Sequence, residues 1–181
     1  MEQRRVEITL NPIIPANLAT TLEKKNKWIM EFTRKIGQDM KHNRNWRCEF
    51  CNKHARETVW MKASWMHLDP PRMVCYVHHV CDSGTGLCAD KIRSVDAEMR
   101  AHSNLPPAPL LHVAPPEGYV YPMSATCAVC NDEANKSRKN LKQCARCGLT
   151  RYCSVECQHS DWKRHKQCCK AVKKVEWHWK K

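Results

Sequence analysis

Residues 127–169 read CAVCNDEANKSRKNLKQCARCGLTRYCSVECQHSDWKRHKQCC. Eight metal-ligand residues stand in four close pairs: Cys127 and Cys130, Cys144 and Cys147, Cys153 and Cys157, His165 and Cys169. A Cys-x2-Cys turn sets two thiolates on one side of a tight loop, within tetrahedral reach of a single Zn2+. No pair completes a tetrahedron alone, so the four must combine two by two. Only five residues separate Cys147 from Cys153, too few to keep two finished sites apart. The spacing therefore predicts a cross-brace, first pair with third and second with fourth. Site one is Cys127, Cys130, Cys153 and Cys157; site two is Cys144, Cys147, His165 and Cys169. Four protein ligands leave no open coordination position, which makes both ions structural. Cys153 and Cys157 are one helical turn apart with Ser154 placed to cap it, and His165 and Cys169 share a second turn. Cys168 would shorten the last spacing, but i and i+4 converge better than i and i+3, so Cys169 is the ligand chosen. Zinc ligation contributes about 10–16 kcal/mol in small finger peptides and would dominate the stability of such a short unit.

The other bulk features fit two small modules. The chain has 181 residues, 13 cysteines and a formal net charge of +13. An odd cysteine count, chelation spacing and a charged start (Met1-Glu2-Gln3-Arg4-Arg5) with no apolar h-region all oppose a secreted disulfide scaffold. A reducing nuclear or cytoplasmic location is expected. No run has the apolar length needed to cross a bilayer, so no membrane partner is expected. Seven ligand thiolates set against two divalent ions bring the net charge to about +10. The charge is concentrated: residues 121–181 hold 14 Lys and Arg against 5 Asp and Glu. A basic C-terminal third suits an acidic partner or simply keeps a small metal-held domain soluble.

Five segments follow along the chain. Residues 1–45 hold a strand, with Val6, Ile8 and Leu10 alternating, and then a helix over about 21–42. The helix has Thr20-x-x-Glu23 as a capping box and Leu22, Ile29, Phe32, Ile36 and Met40 on its apolar face. Residues 46–100 form a second cysteine region, with a β-rich run from Arg72 to Cys81, a turn at 82–86 and a helix from about Cys88. Residues 101–124 hold six of the ten prolines and read as a semi-stiff linker. Residues 125–170 are the zinc finger, and 171–181 a basic end to its final helix. The fold class is small, zinc-stabilised α+β.

The quoted motifs have a known likeness. Cys127-x2-Cys130, Cys144-Ala-Arg-Cys147, Arg151-Tyr152-Cys153-Ser154-x2-Cys157-Gln158 and Asp161-Trp162-x2-His165 resemble a MYND-type zinc finger. HIT-type fingers are similar but lack the Gln158 and Asp161-Trp162 elements. The 13-residue gap after Cys130 is long for the MYND family. The resemblance implies protein–protein recognition in an adaptor or transcriptional co-regulator. Such fingers dock proline-rich peptides of Pro-x-Leu-x-Pro or Pro-Pro-x-Leu type, and the positions of Gln158 and Trp162 line the groove. A flat indole receives a proline ring, and an amide bonds an extended backbone. The linker stretch Leu105-Pro106-Pro107-Ala108-Pro109-Leu110-Leu111 resembles that ligand class, and could fold back onto Gln158 and Trp162. MYND fingers also sit inside SET-domain lysine methyltransferases, but the rest of this chain is short for a SET domain and lacks an Asn-His-x-Cys motif. No enzymatic activity is expected.

Cys48-x2-Cys51 is a further half-site. A treble-clef-like arrangement would complete it with Cys81 and with Cys88 at a helix start, where thiolate is favoured; His78 is the alternative ligand. That adds a third Zn2+. The coupling of this half to a MYND finger resembles fungal MYND-containing proteins of unassigned role. The alternative function is a nucleic-acid-associated basic zinc protein. Residues 160–181 interleave Trp162, Trp177 and Trp179 with eight Lys and Arg, and basic-plus-aromatic surfaces can stack on bases.

Overall fold

A computed structural model describes residues 4–110, 114–133 and 140–179. Strand β1 (Arg4–Leu10) is the spine of a four-stranded antiparallel sheet. Its alternating Val6, Ile8 and Leu10 are fully buried, as period-two patterning requires. The sheet order is β2 (Glu57–Trp65), β3 (Arg72–Val80), β1 and β6 (Val172–Trp179). The β-rich run from Arg72 is therefore β3. The basic C-terminal segment, expected to end a helix, is instead strand β6, paired along β1 from Arg4 opposite Trp179 to Leu10 opposite Val172. Its alternation of Val175 and Trp177 with Lys174, Glu176 and His178 serves a half-buried strand, and only a distant partner could satisfy it.

Helix α1 (Leu22–Lys41) covers one face. Its cap is Thr21 rather than Thr20: the Thr21 hydroxyl accepts from the Lys24 backbone N–H at 3.2 Å. Ile29, Phe32, Ile36 and Met40 are buried as the periodicity predicts, while Leu22 at the open end stays exposed. Gly37 lets the helix approach β2; a Cβ there would lie 3.0 Å from the Trp60 ring. Helix α2 (Gly86–His102) covers the opposite face of β2 and β3. There Cys48, Phe50, Met61, Val80, Cys88 and Ile92 form a second core against which Val95, Met99 and Leu110 pack. Asp82 orders the turn before α2 by accepting from the Gly84 and Thr85 backbone N–H groups.

The finger adds a two-residue hairpin, β4 (Lys142–Gln143) with β5 (Arg151–Tyr152), and α3 (Val155–Ala171). Helix α3 runs directly into β6, so the finger and the sheet share one continuous segment. The finger also sits on the C-terminal turn of α1. There Lys41 and His42 carbonyls accept from the Ala125 and Arg151 backbone N–H groups at 3.1 and 3.0 Å. Those are helix-end carbonyls that would otherwise lack partners. No helix among the described residues is long and apolar enough to cross a membrane.

Candidate metal centres

Three groups of four ligand atoms converge, with all atoms of each group within 4.8 Å of one another. One contains Cys127, Cys130, Cys153 and Cys157; the next contains Cys144, Cys147, His165 and Cys169; the last contains Cys48, Cys51, Cys81 and Cys88. In the finger the first pair thus meets the third and the second meets the fourth. The separations suit zinc. Tetrahedral Zn2+ with Zn–S bonds near 2.3 Å sets sulfur–sulfur edges of about 3.8 Å. Observed edges are 3.7 Å for Cys130–Cys153, 3.8 Å for Cys144–Cys169, and 3.7 Å for both Cys48–Cys88 and Cys51–Cys81. Every cysteine is a free thiol. The donor sets, all thiolate or three thiolates and one imidazole, fit Zn2+ and not a hard cation.

Local structure explains the convergence. Ser154 caps α3 by accepting from the Cys157 N–H at 3.2 Å, which brings Cys157 one turn above Cys153. His165 and Cys169 follow on the same helix, and Cys169, not Cys168, joins the second group. Burial raises the Cys127 thiol, but backbone N–H groups of Cys130 and Val129 outweigh it and bring it down to about 7. Hydrogen bonds from Cys147 and His165 hold Cys144 lower still, at about 3. Thiolate is thereby favoured at one ligand of each finger site. Burial and the neighbouring thiols push Cys130, Cys147, Cys153 and Cys169 up, so a bound cation would have to displace those protons. Cys75 and Cys168 lie outside all three groups. Burial pushes both thiols up to about 12, and with neither in a ligand group they serve as packing residues.

In the last group, Cys81 takes the place for which His78 was the alternative. His78 is turned into the protein, with its Nδ1 2.7 Å from a Glu49 carboxylate oxygen. Cys88 sits in the first turn of α2, as a helix-start ligand should.

The residue that sequence reading missed is Asp39 of α1. It is fully buried, and its carboxylate meets His165 Nδ1 at 2.9 Å, the Arg164 guanidinium at 2.8 and 3.0 Å, and the Thr150 hydroxyl at 2.7 Å. Burial alone would raise its pKa, but the bonds from His165 and Arg164 win and lower it. His165 responds in the opposite sense: burial lowers it, and Asp39 and Cys144 together raise it to about 9. His165 Nε2 faces Cys147 at 3.7 Å, so Asp39 fixes the ring with its other nitrogen toward the metal site. A signal existed. Asp39 is three residues beyond Ile36 and seven beyond Phe32, hence on the apolar stripe, where a carboxylate needs a buried partner.

Gln158 and Trp162 lie one turn apart on α3 and share a face. Trp162 is 38% exposed, with its ring tilted against His165 at 6.1 Å between centroids. The proline-rich stretch does not reach them: Leu110 packs on the second core with Val59 and Met99. Leu111 lies outside the described residues.

The sequence comparisons agree with this site. Residues 127–169 match the family described as the MYND finger, so this part of the chain is a MYND zinc finger, generally a protein–protein interaction module. The relatives share that region. A SET and MYND domain-containing protein of Dictyostelium discoideum is 40% identical over 65 residues, 33% of this chain and 12% of its own length. Human histone-lysine N-methyltransferase SMYD3 is 33% identical over 75 residues, 41% of this chain and 17% of its own. Arabidopsis thaliana ubiquitin carboxyl-terminal hydrolase 19 is 41% identical over 54 residues, 29% of this chain and 7% of its own. The chain therefore spans less than a fifth of each of these relatives. No solved structure matches the chain.

Proposed function

We propose that the chain is a zinc-held adaptor whose MYND finger docks proline-rich peptide segments of other proteins on the face of α3 that carries Gln158 and Trp162. The single observation behind this is a half-exposed indole on the helix that also supplies metal ligands. A large aromatic left open on a rigid helix suits a proline ring, and the Gln158 amide one turn away suits an extended backbone. Three Zn2+ ions hold the scaffold. The finger is cross-braced through Cys127, Cys130, Cys153 and Cys157 at one ion and Cys144, Cys147, His165 and Cys169 at the other. Cys48, Cys51, Cys81 and Cys88 form a treble-clef-like third site. With four protein ligands each, none is built to activate water or substrate, and on this reading the chain binds and does not catalyse.

The relatives support recognition as the shared element. A finger common to a named methyltransferase and a named ubiquitin hydrolase is better suited to bringing partners than to either reaction. The histone-lysine methyltransferase in that group motivates a nuclear or cytoplasmic role in transcription regulation. Nucleic-acid binding is less well supported, because Trp177 and Lys174 of the basic tail are already engaged. Trp177 packs against the main core with the Arg44 guanidinium 4.1 Å above its ring, and Lys174 pairs with Glu176.

The test is a titration of the zinc-loaded chain with a Pro-Pro-x-Leu-x-Pro peptide, followed by NMR. Shifts at Gln158 and Trp162, and a loss of about tenfold or more in affinity for Trp162→Ala, are expected. Binding that survives Trp162→Ala unchanged rules the face out.

A further inference from the structure

We propose that the open edge of β2 is a second docking site, taking an extended segment of a partner protein that alternates acidic and apolar side chains. It is separate from the finger and does not depend on the peptide reading above.

A cavity of about 900 Å3 is lined by every residue from Glu57 to Ala63. Successive strand side chains point to opposite faces of a sheet, so a space touched by all seven lies along the strand's edge. β2 is an edge strand, and among the described residues no strand pairs with its outer side. A row of backbone N–H and C=O groups therefore faces this cleft, a template that an added strand satisfies. Seven residues extend over about 24 Å, enough for a peptide of similar length.

The two walls differ. Trp60 lies toward α1, packed beneath Gly37, and Lys62 Nζ reaches Met30 of the same helix at 3.5 Å. Arg34 and Lys41 line this wall too. Val59 and Met61 lie on the other side, in the core that holds Met99 and Leu110. The α1 wall is thus basic and the α2 wall largely apolar. Other charges at the cleft are already engaged: Arg100 pairs with Asp96 at 2.9 Å, Arg56 with Glu133 at 2.9 Å, and the Ser83 hydroxyl donates to Glu57 at 2.5 Å. No ion pair joins Arg34, Lys41 or Lys62 to an acid among the described residues. Burial lowers the Lys41 ammonium to about 8, so an incoming carboxylate would meet a poorly solvated cation.

An added strand has the period of two that this asymmetry demands, with alternate side chains toward the cations of α1 and the intervening ones toward Val59, Met61 and Met99. A nucleic acid could pair with the cations but has no backbone to match the strand's N–H and C=O row.

The probe is a fluorescein-labelled heptapeptide alternating Val and Glu, titrated against the zinc-loaded full chain. Its control is the same peptide N-methylated at alternate amides, which removes the strand-pairing donors on one edge at unchanged charge. The parent should bind about tenfold or more tighter than the N-methylated peptide, and should slow amide exchange along β2. Arg34→Glu with Lys62→Glu should weaken it about tenfold, while Trp162→Ala should leave it unchanged. The exchange measurement on the unmodified chain keeps the test valid if the charge-reversed variant folds poorly. Absent binding, equal affinity for both peptides, insensitivity to charge reversal, or displacement by an oligonucleotide of equal charge that binds more tightly would each overturn the proposal.

Discussion

Asp39 and His165 stand 126 positions apart in the chain and 2.9 Å apart in the fold, with the carboxylate on α1 accepting from the ring nitrogen that faces away from the metal site. The finger's second site thus draws its orienting group from outside the finger. Asp39 also holds Arg164, which bonds Asp161, and Asp161 in turn accepts from the buried Tyr152 hydroxyl at 2.8 Å. One carboxylate therefore ties α1, α3 and β5 together around a ligand. Replacing Asp39 with Asn removes the charge but keeps the shape. A carboxylate behind a ligating His sets its tautomer and raises its basicity, and such partners are worth about 10–100-fold in metal affinity. Asp39→Asn should therefore lose Zn2+ from the Cys144, Cys147, His165, Cys169 site about 10–100-fold more readily in a chelator competition. The neighbouring Cys127, Cys130, Cys153, Cys157 site, which has no such contact, should hold its ion as before.

Zinc removal should be felt beyond the finger. Ala171 ends α3, Val172 begins β6, and the Asn11 backbone N–H donates to the Ala171 carbonyl at 2.8 Å. Without its ions the finger has little core of its own, so α3 should fray and release β6 from β1. Strong chelation should then raise amide exchange at Glu7 and Thr9, which alternate with Asn11 on the β6 side of β1, more than on β2. Unchanged exchange in β1 after complete zinc loss would show that the sheet stands without the finger.

What the sequence made legible was local. Chelating pairs are three or four residues apart, so their chemistry is visible in a single turn, and the α1 stripe shows in its periodicity. The strand at Val172–Trp179 was hidden because its lysines read as the solvent face of a continuing helix, and its partner β1 lies at the other end of the chain. The strand at Glu57–Trp65 carries Trp60 toward one core and Met61 toward another, so it lacks the clean apolar-polar alternation of a half-buried strand. Asp39 marks a different limit: its position on the apolar stripe signals a buried partner, but not which of the distant cations it would meet.

His42 gives the fold a pH dependence separate from the zinc ligands. It is 3% exposed at the end of α1, beside the Thr126 carbonyl and hydroxyl. Burial, with Lys41 next to it, lowers its pKa from 6.5 to about 4. The unfolded chain therefore binds a proton that the folded chain refuses between those values. Stability from the neutral ring is fully present above about 6.5 and is lost as pH falls through the window toward 4. The lost contribution is on the order of 3 kcal/mol. Thiolate protonation will also weaken the zinc sites there, so the comparison must be with His42→Gln. Urea unfolding between pH 7 and pH 5 should show a shallower decline for the variant than for the parent chain; parallel declines would remove His42 as a cause.

The third zinc site can be isolated by counting ions. Cys81 directly follows β3 and Cys75 lies within it, opposite Lys62, yet only Cys81 converges with Cys48, Cys51 and Cys88. Cys75 is fully buried against the main core with no ligand atom grouped beside it, and its thiol is held protonated by burial. Elemental analysis of the intact chain should approach three Zn2+ per molecule. Cys88→Ser should reduce that to about two, because three thiolates no longer close a tetrahedron around the ion. The same change should loosen the start of α2 and the packing of Ile92 against Phe50, seen as a lower unfolding temperature. Cys75→Ser removes a thiol of almost the same size from the interior and should cost stability by burying a hydroxyl, with the zinc count left at three. A count near two in the intact chain, or an equal loss of zinc from Cys75→Ser and Cys88→Ser, would show that the Cys48, Cys51, Cys81 and Cys88 cluster is held by packing and not by metal.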